Sequence, residues 1–314
     1  MNKSALVAAH QRIQPYIHKT PVLTCRTIDE MAGARVYFKC ENFQKMGAFK
    51  MRGAANAILC LSKAAREKGV ATHSSGNFAQ ALALSARLMG VKAYIVMPSS
   101  APAVKKQAVL GYGGTVIDCE PTLQAREDTL KAVVAKTGAT FVHPFNDDDV
   151  IAGQGTAALE LLEQASPLDF IIAPAGGGGL LGGTAMAVRL FSPSTIVMGA
   201  EPFGADDAWQ SKQAGHIIPQ TNPQTIADGL RTSLGDKTFP LIRDDVQKII
   251  RVEEEEIVAA LRLLLERMKI VVEPSGAVPL AALLRSKAGF SGKKVGVILS
   301  GGNIDLTTLA AFFG

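Results

Sequence analysis

The sequence predicts an α/β protein of two domains, each a twisted, mostly parallel sheet flanked by helices. Three observations point there. Short runs rich in β-branched residues alternate with helical stretches through the whole chain, the pattern of βαβ units and the parallel sheets they build. The 314 residues, 47% of them hydrophobic, can bury a substantial core and are long enough for about two domains. A glycine-rich loop, Pro174-Ala175-Gly176-Gly177-Gly178-Gly179-Leu180-Leu181-Gly182-Gly183, lies between an expected strand and an expected helix.

Along the chain, the apolar run Ala93–Met97 reads as a strand that stops at Pro98. Lys105–Leu110 read as helix, Gly111–Gly114 break it, and Thr115–Cys119 form the next strand. These elements make a compact unit over residues 66–146. A second series, Asp169–Ala173, Thr195–Gly199 and Val295–Leu299, supplies the strands of a larger unit, with a helix over Thr184–Leu190. The acidic run Glu253–Glu256 opens a helix, because carboxylates at its start and Arg267 and Lys269 near its far end both complement the helix dipole.

Thirty-three Lys and Arg against 28 Asp and Glu leave a net charge of +5, modest for this length, and no basic run carries interleaved aromatics. Nucleic acid is therefore not an expected partner. No apolar run approaches a membrane span, and Met1–Leu6 lack the apolar region of a signal peptide. Cys25, Cys40, Cys60 and Cys119 show no C-x-x-C spacing and lie mostly among apolar residues, so they read as buried free thiols of a reducing compartment. The expectation is a cytoplasmic enzyme or binding protein.

Two segments carry the chemistry. Gly47-Ala48-Phe49-Lys50-Met51-Arg52-Gly53 offers one lysine flanked by small and aromatic residues, and Thr72-His73-Ser74-Ser75-Gly76-Asn77 offers short polar side chains and free N–H groups able to hold a carboxylate. Together they suit an aldehyde cofactor that handles amines. Ser74 and Ser75 equally suit capping of a helix beginning near Ala79. The glycine loop, aimed at a helix N-terminus, is an anion cradle whose expected guest is phosphate. Gly177, Gly179 and Gly182 also satisfy G-x-G-x-x-G, with Glu201 about 20 residues on, so a nicotinamide-dependent dehydrogenase competes. The uninterrupted tetraglycine favours a monophosphate, and the dehydrogenase reading gives Lys50 and the Ser-Ser-Gly-Asn turn no work.

In order and nearly end to end, from Arg12-Ile13-Gln14-Pro15 to Ser300-Gly301-Gly302-Asn303, these segments resemble the fold-type II pyridoxal phosphate enzymes, and within them the serine racemase and serine/threonine dehydratase branch. The resemblance implies a large domain from residues 1–65, which carry Lys50, and 147–314, with residues 66–146 as a small domain. It implies that Lys50 forms the Schiff base and abstracts the α-proton, and that Phe49 packs on the cofactor ring. It gives the cofactor phosphate to Gly176, Gly177, Gly178, Gly179 and Leu180, the phenolic oxygen to Asn77, and the pyridine nitrogen to Ser300. A hydroxyl at that nitrogen cannot enforce protonation as a carboxylate would, which suits elimination and proton exchange over transamination. Ser74, Ser75 and Asn77 would receive the substrate carboxylate, with Ser75 also facing the α-carbon opposite Lys50. Arg126 stands where relatives have an arginine near the substrate, although a surface ion pair on its polar helix suits it as well.

Glu201-Pro202-Phe203-Gly204-Ala205-Asp206-Asp207 resembles the family's divalent-cation loop, in which the Glu201 and Asp207 carboxylates and the Ala205 carbonyl would hold Mg²⁺, Ca²⁺ or Mn²⁺. Two positions depart from the pattern: Phe78, where many relatives have histidine beside the substrate site, and Met46, where relatives often have a smaller residue. The resemblance implies a cytoplasmic homodimer acting on serine, threonine or 3-hydroxyaspartate by racemisation and dehydration. The alternatives are a threonine or 3-hydroxyaspartate dehydratase with little racemisation, the dehydrogenase, and a non-catalytic phosphate-sensing protein.

Overall fold

In the computed structural model, which describes every residue from Met1 to Gly314, the alternation written in the sequence becomes two sheets. The strands, in chain order, are β1 (Val22–Leu23), β2 (Arg35–Cys40), β3 (Val70–His73), β4 (Ala93–Pro98) and β5 (Thr115–Cys119). They continue with β6 (Thr140–Phe141), β7 (Phe170–Pro174), β8 (Ile196–Pro202), β9 (Lys248–Val252) and β10 (Lys294–Leu299). One sheet has six strands in the order β1-β2-β10-β7-β8-β9, the other four in the order β5-β4-β3-β6. Every pair is parallel except β1 with β2. Both faces are covered by helices, so the inner strands are apolar runs and not alternating ones. No helix is long and apolar enough to cross a membrane.

Parallel strands end on one side, and the polar turns of the sequence lie there. β3 runs into Ser74, β7 into the glycine loop and β10 into Ser300, which is where open α/β sheets bind ligands. The core does not divide cleanly between the sheets. Ile13, Met51 and Ile58 from the first 65 residues share one apolar cluster with Phe78, Leu82 and Ile95 of the four-stranded layer.

Helix boundaries differ from expectation at one place that matters. The helix after the glycine loop spans Gly179–Phe191, beginning five residues ahead of Thr184, because Gly178 takes a left-handed φ of +86° that only glycine adopts at little cost and starts the helix there. The phosphate-type loop thus leads directly into the helix N-terminus. The acidic helix, Glu254–Leu263, begins with a capping box between Glu253 and Glu256, and the turn that continues it stops at Lys269, φ +61°, as its charges suggested. The cysteines are all free, but only Cys40 and Cys119 are buried. Cys60 is exposed at the end of its helix, where its thiol accepts from Arg12 at 3.2 Å.

Three helices meet backbone to backbone at glycines. Helix Asp148–Ala165 crosses helix Lys50–Cys60 at Gly153, where a Cβ would lie 2.5 Å from the Arg52 carbonyl and 2.6 Å from Gly53 Cα. It crosses helix Gly179–Phe191 at Gly155 and Gly183, and a Cβ on Gly183 would lie 2.7 Å from the Gly155 nitrogen. Backbone cannot yield as a side chain tip can, so these crossings are fixed. Gly153→Ala should therefore lower stability by about 1–3 kcal/mol despite alanine's better helix propensity. Gly111→Ala, which meets nothing within 4 Å, should be neutral or slightly stabilising. Urea midpoints of the two variants test this, and equal midpoints would mean the crossing adjusts.

Candidate active site

Lys50 opens its helix, so its side chain leaves the first turn into the space between the two sheets. Its Nζ donates to the Pro144 carbonyl at 2.9 Å and lies 5.0 Å from the Phe49 ring and 5.6 Å from the Phe78 ring. Burial between these rings pushes the amine down to about 8, opposed by the charge of Glu273. A lysine there is partly neutral near physiological pH, the state that attacks a carbonyl. Its backbone is pinned from the opposite side, where Phe49 N–H donates to the Ser300 carbonyl at 3.0 Å and Ala48 bridges Gly301.

The glycine loop meets the lysine through one connection, His143–Asn146. Pro144 receives the lysine, and the Phe145 ring packs against the next glycines, where any Cβ on Gly177 would overlap it. Thr238 supports the loop from below, its Oγ1 donating to the Gly177 carbonyl at 2.9 Å. All residues from Gly176 to Leu181 are buried, yet none of their N–H groups donates to a protein acceptor. Six consecutive unsatisfied donors at a helix N-terminus are costly unless an anion fills them. A phosphate fits.

Asn77 begins helix Asn77–Leu88, and its Nδ2 donates to the Glu273 carboxylate, 2.8 and 3.1 Å from its two oxygens, while its Oδ1 accepts from Asn303 at 2.9 Å. Glu273 is buried, and burial pushes its carboxyl up to about 7, Asn77 opposing this. The sequence reading missed Glu273. Its signal was faint: a single acid in the run Ile270-Val271-Val272-Glu273-Pro274, far along the chain from Lys50. His143 was missed as well. Its Nδ1 accepts from the N–H groups of Phe145 and Asn146, and burial with the nearby charges of His73 and Lys50 pushes it down to about 4, so it is a neutral scaffold for the Pro144 turn.

The Ser-Ser-Gly-Asn turn follows β3, with Ser74, Ser75 and Asn77 half-buried. Neither serine caps the helix: Gly76 is the N-cap residue and no side chain bonds there, although Ser74 Oγ accepts from the Gly76 N–H at 3.3 Å. Ser75 and Ser300 make no side-chain hydrogen bond within the protein, although Ser300 is almost wholly buried at the end of β10. Phe78 turns into the apolar cluster beside Lys50, where it walls the lysine. Met46, also buried, has a left-handed φ of +55°, held by its carbonyl accepting from Asn303. Arg126 forms no ion pair, and its Nε is buried without a partner. Burial depresses the proton affinity of His73, the residue before Ser74, and the Arg126 charge adds to this while Glu127 opposes it.

At the far end of β8, Glu201 is buried and accepts from the N–H groups of Ala208 and Trp209 at 3.1 and 2.9 Å. Burial and the neighbouring Asp207 hold it well above the usual carboxylate range. Asp207 accepts from Leu234 N–H through one oxygen, its other oxygen is buried without a partner, and the Ala205 carbonyl receives no hydrogen bond. No three His, Cys, Asp or Glu side chains cluster here or elsewhere in a metal-binding group, so a cation would draw on carbonyl and water oxygens as well. Asp206 is taken up by Arg251 at 2.8 Å and Gln210 at 2.6 Å. Glu201 is wholly buried and already accepts from two N–H groups of its own chain, and the six-stranded order differs from that of the dinucleotide-binding fold. The dehydrogenase reading fails on the strand order.

Since the Lys50 amine titrates at about 8, its reactivity toward a small aldehyde should rise with pH and level off above that value, where a solvated lysine would still be climbing. Trapping with borohydride across the pH range, with Lys50 located by mass spectrometry, measures the midpoint. A midpoint near 10.5 would mean that the side chain is solvated.

Similarity to known proteins runs almost the full length of the chain. A beta-hydroxyaspartate dehydratase from Paracoccus denitrificans (strain Pd 1222) is 49% identical over 304 residues, covering 97% of this chain and 96% of that protein. The crystal structure of serine racemase from Dictyostelium discoideum superposes with a TM-score of 0.94 at 51% identity, covering 98% of this chain and 99% of that one. The structure of maize serine racemase gives 0.96 at 48%, over 99% of this chain and 96% of that one. A crystallised T.th. threonine deaminase gives 0.93 at 47%, over 98% and 99%. The family model described as pyridoxal-phosphate dependent enzyme matches residues 13–301, a span that takes in the desolvated lysine, the glycine cradle and the Ser300 strand end, and the chain belongs to that family.

Proposed function

We propose that this enzyme racemises serine and dehydrates serine-like 3-hydroxy amino acids at one site, in the cytoplasm, as a homodimer without nucleic-acid or membrane partners. The observation that carries the reading is a lysine brought down to about 8 beside six unsatisfied N–H donors, the pairing that an aldehyde phosphate needs. Lys50 holds the cofactor, Phe49 lines its ring, and Gly176, Gly177, Gly178, Gly179 and Leu180 take its phosphate. Asn77 binds the phenolic oxygen and Ser300 faces the ring nitrogen. The bound cofactor supplies an electron sink for the carbanion formed at the substrate α-carbon. Ser74, Ser75 and Asn77 hold the substrate carboxylate in the turn at the end of β3. Lys50 Nζ removes the α-proton on one face. Ser75 returns a proton on the other, or the β-hydroxyl leaves and the product hydrolyses to a keto acid and ammonia. Residues 66–146 act as the small domain against a large domain of 1–65 and 147–314.

A second reading, a 3-hydroxyaspartate dehydratase, is favoured by Arg126, a partly buried cation in no ion pair, its Nε unpartnered and its charge felt at His73. Phe78 weakens any polar contact that a histidine would add beside the lysine. Product assays on L-serine, D-serine, L-threonine and the 3-hydroxyaspartate isomers decide between the readings, and no turnover of any of them would defeat both.

Ser75→Ala should cut racemisation and D-serine dehydration by about 10²–10⁴ while retaining much of L-serine dehydration, because only inversion needs a donor opposite Lys50. The ratio of the activities in cofactor-loaded protein is the measurement. Equal loss of both would make Ser75 a substrate-positioning residue only.

The free oxygen of Asp207, the open Ala205 carbonyl and the raised proton affinity of Glu201, which a cation would relieve, support a divalent ion at this loop, Mg²⁺, Ca²⁺ or Mn²⁺. A chelator should lower the melting temperature, and Mg²⁺ or Ca²⁺ at about 100 Kd should restore about 2.7 kcal/mol. A melting curve indifferent to both would leave the loop as a turn.

A further inference from the structure

On the face of the lysine helix turned away from the cleft lie four wholly buried charges that the chemistry above does not use: Lys39, Glu41, Arg52 and Glu160. Arg52 stands at their centre. It forks to Glu41 through Nε at 2.7 Å and Nη2 at 2.8 Å, and to Glu160 through Nη1 at 2.9 Å and Nη2 at 2.8 Å. Thr156 Oγ1 takes a further Nη1 proton at 3.2 Å. Lys39 Nζ closes the cluster, donating to Glu160 at 2.7 Å, to Gln164 at 2.8 Å and to the Thr20 carbonyl at 2.8 Å. Two cations meet two anions, so the cluster is neutral as a whole. His10 lies 3.9 Å from Glu160, and the buried Cys40 thiol, between Lys39 and Glu41 in the chain, is pushed up to about 12 by burial.

Positions two apart on a helix project about 200° from one another. Lys50 therefore enters the cleft while Arg52, in the same turn, reaches backward into helix Asp148–Ala165, which carries Thr156, Glu160 and Gln164. That helix is the one whose Gly155 touches Gly183 of the cradle helix. We infer that Arg52 is a positioning residue for Lys50, its two carboxylate forks fixing the first turn of the lysine helix against the helix on which the glycine cradle is packed. The inference rests on Lys50 as the residue that holds the cofactor.

Burial alone does not account for the arrangement, since apolar side chains of equal volume hold helices together at least as well as a buried ion cluster. What the forks add is geometry. A planar guanidinium gripped at both edges resists rotation and sliding of the turn, which a lysine or an apolar residue cannot do. Reaction between a held amine and a held aldehyde is steep in position, and a displacement of about 1 Å costs on the order of 10²-fold in rate.

The test uses apoprotein prepared from the full-length enzyme, wild type beside Arg52→Lys and the charge-balanced pair Arg52→Met with Glu41→Gln, which leaves Lys39 and Glu160 matched. Two probes separate holding from reaching. Pyridoxamine 5′-phosphate has the ring and phosphate but no aldehyde, and its affinity reports the cradle. Pyridoxal 5′-phosphate reports attachment, followed as the rate at which borohydride traps it on Lys50. The expected result is an unchanged affinity for the first and an attachment rate lower on the order of 10²-fold for the second, in at least one variant that melts cooperatively. Wild-type attachment in every variant that folds overturns the inference. So does a parallel loss of affinity, attachment and melting temperature, which would make Arg52 a stability residue. A wild type that takes no label on Lys50 would defeat the lysine assignment itself.

Discussion

The seating of the Lys50 helix and the glycine-loop helix on one shared helix is the constraint on which this molecule is built. Lys50 and Gly179 start different helices. Both are set by a third helix, Asp148–Ala165, against which they pack backbone to backbone at Gly53, Gly153, Gly155 and Gly183. Glycine is a poor helix former, so four of them at helix crossings cost stability that packing must offset. The return is closeness: with backbone against backbone at these crossings, the lysine and the glycine loop inherit the rigidity of three helices. The buried charges behind Arg52 act on the same crossing from the other side.

The cleft then gains its chemistry from dryness more than from charge. Burial moves Lys50 down to about 8 and Glu273 up to about 7, each toward neutrality, with Glu273 opposing the first shift and Asn77 the second. Two groups with ordinary values far apart are brought within reach of one another by a shared low-dielectric setting. The same setting raises the cost of every unsatisfied backbone donor in the loop. Dryness that readies the amine therefore also sharpens the demand for an anion at the cradle.

Much of this was legible in the chain. The central strands announce themselves as apolar runs ending at proline or glycine, and the tetraglycine between β7 and its helix is too dense to be packing alone. Lys50, the serine turn and Ser300 could be picked out because short motifs hold them. What could not be read depended on contacts between distant segments. Glu273 matters because the chain folds it onto Asn77, and nothing local marks it. Gly182 and Gly183 look like loop but are helical, since close packing, of Gly182 on Leu241 and of Gly183 on Gly155, overrides propensity. Cys60 follows an apolar triplet and yet is exposed, because its helix ends there. The serines were ambiguous between capping and binding until the backbone gave the cap to Gly76.

The row of unpaired N–H groups from Gly176 to Leu181 bears on how the protein must be handled as well as on what it does. The row recognises an oxyanion by shape and partial charge and reads nothing of what the anion is attached to. If the proposed function holds, inorganic phosphate or sulfate competes for the row, stabilising the folded chain by mass action while blocking the seat proposed for the cofactor. The buffer that best preserves the apoprotein is then the one that most slows its reloading, and an apparent cofactor affinity is a property of the medium as much as of the enzyme.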